Sequence, residues 1–96
     1  MGRPEKVKAG TFDTLIEAGG IRSASAIEND QGSYLLLVET GRGMPMLLHA
    51  PNGEPETFRD LNHLVAYFES RGIYRFEVIK NQERNHTDID PEILSI

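Results

Sequence analysis

The segment Tyr34-Leu35-Leu36-Leu37-Val38 is apolar at five consecutive positions, with Asn29-Asp30-Gln31-Gly32 before it and Thr40-Gly41-Arg42-Gly43 after it. Side chains in a strand alternate between two faces, so such a run reads as a central strand covered on both sides. The bracketing clusters are rich in residues that make tight turns. They predict that the run is the middle of an antiparallel meander, with residues 21–28 as the strand before it and Met44–Ala50 as the strand after it.

Two helical patterns flank this meander. Thr11 precedes Phe12, Leu15 and Ile16, which share one helical face, and Gly19-Gly20 stops the run. Thr57 and Asp60 form a capping-box pattern with Asp in place of the usual Glu or Gln. Phe58, Leu61, Leu64, Val65 and Phe68 then recur at helical spacing up to Gly72, which predicts a helix over 57–71. Residues 73–79 alternate as a last strand. The expected fold is α+β in the order α-β-β-β-α-β, with a fourth strand after the long helix and that helix packed on one sheet face. Residues 1–10 read as a mobile, mildly basic arm, 11–80 as one domain, and 81–96 as a polar tail. Within that tail, Asp90-Pro91-Glu92-Ile93-Leu94 could form a docking turn.

Hairpin register decides which residues face which way. A two- or four-residue loop at Gly41-Arg42 sets Glu39 opposite Met44, which puts Leu35, Leu37, Met44, Met46 and Leu48 on one face. Tyr34, Leu36, Val38, Leu47 and His49 then fall on the other. A tight turn at Asp30-Gln31 adds Ala24 and Ala26 to the first face, and small alanines leave room there for the second helix. The opposite face, with Tyr34, Leu36, Val38, Leu47, His49 and the neighbouring Arg75, is the expected interaction surface. Either a partner or a second copy covers it, or the first helix closes it together with Ile93 and Leu94. A one-residue slip in either hairpin swaps these assignments for that strand.

Composition narrows the function classes. A chain of 96 residues is one domain's worth, and 39% hydrophobic residues with no tryptophan make a thin core, so a homodimer is one way to bury the rest. A net charge of −5 argues against a general phosphate-backbone binder, although a local basic patch is compatible with it. The absence of cysteine removes disulfides, thiolate ligands and a cysteine nucleophile. No signal peptide or membrane-length apolar run is evident, so a cytoplasmic protein without a membrane partner is expected. His49, His63 and His86 lack metal-ligand spacing. Ser23, Ser25 and Ser33 lack a nucleophile-elbow context. Gly41-x-Gly43 joins two strands, whereas phosphate loops feed a helix. No catalytic, cofactor-binding or metal-binding residue is therefore expected. Arg22, Arg75 and Lys80 are the nucleic-acid candidates, but alternation sets Arg22 and Arg75 on opposite faces and Glu77 dilutes the charge.

The stretches Gly32-Ser33-Tyr34-Leu35-Leu36-Leu37-Val38-Glu39-Thr40, Leu47-Leu48-His49-Ala50, Gly53-Glu54-Pro55, Thr57-Phe58-Arg59-Asp60-Leu61 and Gly72-Ile73-Tyr74-Arg75-Phe76-Glu77-Val78 carry a resemblance. Across residues 20–79 the chain resembles the small ParC-type partition-associated proteins of plasmids and integrated elements. That resemblance implies an accessory protein of a mobile element and brings no catalytic residues with it. The leading expectation is a non-enzymatic protein-interaction module, with a nucleic-acid-binding accessory protein second and a small enzyme third.

Overall fold

In the computed structural model, which describes residues 4–81, the Tyr34–Val38 run lies at the centre of a six-stranded sheet. In chain order the elements are β1 (Glu5–Lys8), α1 (Ala9–Glu17), β2 (Ile21–Glu28), β3 (Tyr34–Thr40), β4 (Pro45–His49), β5 (Thr57–Phe58), α2 (Leu61–Ser70) and β6 (Glu77–Ile79). The strands lie in the order β1-β4-β3-β2-β6, and β5 pairs with the start of β3. The meander β2-β3-β4 is antiparallel, whereas β1 runs parallel to β4 and β6 parallel to β2. The fold is α+β in the expected order, with β1 and β5 added. The tail turn around Ile93 and Leu94, and His86, lie outside the described residues.

The N-terminal arm needs correcting. Glu5–Lys8 form an edge strand, with Val7 opposite Leu48 and 2% exposed. A lone valine between Lys6 and Lys8 is too short a pattern to announce a strand; its stability comes from the β4 backbone beside it. The start of the second helix also moves. Thr57 and Phe58 pair with Leu35 and Tyr34 in β5, so Thr57 is not the cap. Asp60 is: its backbone is extended (φ −148) and its side chain accepts from the His63 amide at 2.9 Å.

Both hairpins have three-residue loops, and this overturns the expected faces. Glu39 stands opposite Pro45, and Glu28 opposite Tyr34. Each loop ends on a glycine with positive φ, Gly32 at 80° and Gly43 at 82°. Asn29 Oδ1 accepts from the amides of Gln31 and Ser33, and Thr40 Oγ1 accepts from the Met44 amide. This is the type I turn with a left-handed third residue, the next choice after the two-residue hairpin. One extra loop residue at each end turns β3 over relative to both neighbours.

Ala24, Ala26, Leu36, Val38 and Leu48 therefore share one face and form a single core with Phe12 of α1 and Leu64 and Phe68 of α2. Both helices cover that face. The opposite face carries Leu35 and Leu47, with the half-buried Leu37 packed against them. Gly72 closes α2 at φ 77, with the Ile73 amide bonded to the Phe68 carbonyl as the glycine-terminated pattern requires.

Candidate functional site

The six residues expected to form one surface separate onto different parts of the fold. Tyr34, Leu36 and Val38 lie under the helices at 5%, 0% and 1% exposure, so they are core and not surface. The hydroxyl of Tyr34 accepts from Lys80 Nζ at 2.5 Å, which pins the end of β6 to the sheet. Leu47 and His49 occupy the opposite face and are also buried. The His49 ring donates through Nδ1 to the Leu47 carbonyl at 2.8 Å, a local backbone contact. Of the six, only Arg75 is exposed.

Arg75 instead lines one pocket together with Arg22, the residue from which alternation had separated it. The register of β2 on β3 slips between Ile21, opposite Thr40, and Ser23, opposite Glu39. Arg22 is thus the extra residue of a β-bulge, and a bulge re-aims its side chain. Next to the bulge, β6 pairs only with Ser25–Ile27, and residues 73–76 run past without joining the ladder. A pocket of about 160 Å³ opens in this gap. Its apolar lining includes the half-buried Ile16, Ile21 and Ile73, and its exposed lining includes Arg22, Ser23 and Arg75. No motif in the sequence announces the bulge, so the shared pocket of the two arginines was not legible there.

The charge at the pocket is asymmetric. Arg22 forms an ion pair with Glu39 across the β2–β3 ladder. Among the described residues Arg75 has no ion-pair partner and keeps its charge toward solvent. Tyr74, between two lining residues, is 74% exposed, and Met44 of the adjoining β3–β4 turn is 42% exposed. A methyl group built on Gly43 of that turn would lie 3.7 Å from the Arg22 guanidinium, so the turn borders the bulge. Tyr74 and Met44 are the large hydrophobic side chains that the described residues leave in water.

Other polar groups have structural work. Arg71 donates to Asp13 at 2.6 Å and lies over the Tyr67 ring. Burial pushes the Tyr67 phenol above its ordinary pKa, and its buried oxygen has no hydrogen-bond partner. The side-chain hydrogen bond to His63, with the His63 amide, holds the Asp60 carboxyl below the ordinary aspartate pKa. Among the described residues no group of three or more His, Asp or Glu is placed to hold a metal ion. No described helix is long and apolar enough to cross a membrane. Compared with known protein families and with curated proteins, the chain matches none.

Proposed function

We propose that this chain is a non-enzymatic protein-interaction module and that the Arg22–Arg75 pocket is its docking site. The carrying observation is that two arginines line one partly apolar pocket, with an exposed tyrosine next to it. Tyr, Arg and Met are the side chains enriched at the energetic centres of protein interfaces. The fitting occupant is an acidic protein segment bearing one aliphatic side chain, with the aliphatic group in the pocket and a carboxylate on Arg75, beside the Arg22–Glu39 ion pair. The chain's net charge of −5 disfavours such a segment over the rest of the surface, which favours a single docking position. The resemblance over residues 20–79 suggests the setting, an accessory role in a cytoplasmic partition system of a plasmid or mobile element.

A second reading, nucleic-acid binding, draws on the same arginine pair. Against it stand the ion pair that occupies Arg22 and the acidic balance of the chain. A displayed random-peptide library selected on the wild-type chain, with counter-selection on Arg22→Glu/Arg75→Glu, tests the docking reading. Enrichment of acidic peptides with a recurrent aliphatic position supports it. No enrichment, or peptides that bind the double variant equally well, contradicts it. Salt-sensitive retention of a duplex DNA in a gel, lost in the same variant, would favour the second reading.

A further inference from the structure

The loop after β4 repeats the geometry of the two hairpin loops. The Ala50 amide donates to the Glu54 carbonyl at 2.7 Å and the Gly53 amide to the Ala50 carbonyl at 2.9 Å, with Gly53 at φ 88. The same pair of bonds closes Asn29 to Ser33 around Gly32, and Thr40 to Met44 around Gly43. The loops differ in the residue before that glycine, which is Gln31, Arg42 or Asn52. Asn52-Gly53 is the one Asn-Gly pair in the sequence. Pro51, Asn52, Gly53 and Glu54 are all exposed. Chain neighbours apart, no heavy atom lies within 4 Å of the place where a Gly53 side chain would begin.

We propose that Asn52 is a site of spontaneous modification, deamidation through a succinimide, and that the turn around it sets the rate. The Gly53 nitrogen gives its proton to solvent hydroxide and attacks Cγ of Asn52. The new N–Cγ bond closes a five-membered ring, the Cγ–Nδ2 bond breaks, and ammonia leaves with a proton taken from water. Water then opens the ring. Opening at Cγ gives aspartate, and opening at the main-chain carbonyl gives isoaspartate, in which the backbone runs through the former side chain. Gln31 would have to close a larger ring, and Arg42 has no carboxamide. Two hydrogen bonds act on the step in opposite directions. Asn52 Oδ1 accepts from the Glu54 amide at 2.9 Å, which polarises the carboxamide where negative charge develops on attack. The Gly53 N–H is held by the Ala50 carbonyl, so attack requires that bond to open. A loop whose side chains are all exposed opens locally at small cost. Isoaspartate adds one atom to the loop backbone, and loop length fixes how the following residues return to the sheet. There, Pro55 bridges to His49 and the Glu56 amide is bonded to the Leu48 carbonyl at 3.0 Å.

Peptide mapping of the full chain, held folded at mildly alkaline pH, follows the reaction directly. Aspartyl and isoaspartyl forms of Asn52 should accumulate ahead of acid at any other asparagine. They should form several-fold more slowly than in the same chain unfolded in urea, where no turn restrains Gly53. Gly53→Ala, compared in urea so that the strain of a positive φ plays no part, should slow the unfolded reaction, because a methyl group shields the attacking nitrogen. In the separated isoaspartyl fraction the Glu56 amide should exchange faster with solvent than in the unmodified chain. An Asn52 that keeps its amide in the folded chain, over times that convert the unfolded chain completely, overturns the proposal. Equal rates in the folded and unfolded chains overturn the control by the turn. Earlier conversion at Asn29 or Asn62 overturns the choice of site.

Discussion

Arg71, at the end of α2, donates through Nε to the Asp13 carboxylate of α1 at 2.6 Å while its guanidinium lies 3.6 Å from the centre of the Tyr67 ring. One side chain thus joins the two helices that close the core. The pair is partly in water, with side-chain exposures of 25% for Arg71 and 44% for Asp13. A double-mutant cycle on Asp13→Ala and Arg71→Ala should accordingly give a coupling of about 0.5–1 kcal/mol in urea unfolding. Arg71→Ala alone should cost more than Asp13→Ala, because it also removes the contact with the ring. Strictly additive losses would show that the two helices are not linked here.

Phe68 anchors α2. It is 0% exposed, and its ring centre lies 4.5 Å from that of Phe76. Phe68→Ala should cost about 3–5 kcal/mol as a large core truncation. A loss under about 1 kcal/mol would place the residue outside the core.

The register of β3 has its own signature in adjacent leucines. Leu36 is fully buried beneath the helices, whereas Leu37 faces the other way and is half-buried. Leu36→Ala should cost about 2–5 kcal/mol, and Leu37→Ala clearly less. The opposite ranking would return β3 to the register expected from two- or four-residue loops.

That contrast marks where the sequence is legible. The Tyr34–Val38 run and the spacing of Leu61, Leu64 and Phe68 announce a central strand and an amphipathic helix, because each pattern repeats with the period of its element. Register depends on a single loop residue, and the clues to it are local: Asn29 and Thr40 as side-chain acceptors, Gly32 and Gly43 in the left-handed third position. The same holds for Asp60, which caps α2 through one hydrogen bond where Thr57-x-x-Asp60 suggested a start three residues earlier. The pocket lined by Arg22 and Arg75 was less legible still. It depends on the bulge at Arg22 and on the failure of residues 73–76 to pair, and neither is periodic.

The cap of α2 gives a dependence on pH. The hydrogen bonds from His63 lower the Asp60 pKa from its ordinary 3.8, so the carboxylate is favoured in the folded state. Its contribution is then complete above the unfolded value and is lost as pH falls through the lower folded value. Asp60→Ala should be less stable than the wild type at neutral pH, with the difference shrinking in acid. A difference that stays constant into acid would mean that the ionised carboxylate does not cap the helix.

The docking reading makes a claim about place as well as affinity. A library-selected peptide added to isotopically labelled wild-type chain should shift the amides of Ile21–Ser23 and Ile73–Arg75, and leave those of Leu35, Leu37 and Leu47 unchanged. Shifts concentrated on Leu35, Leu37 and Leu47 would contradict it, because the partner would then be held on the opposite sheet face and not between Arg22 and Arg75.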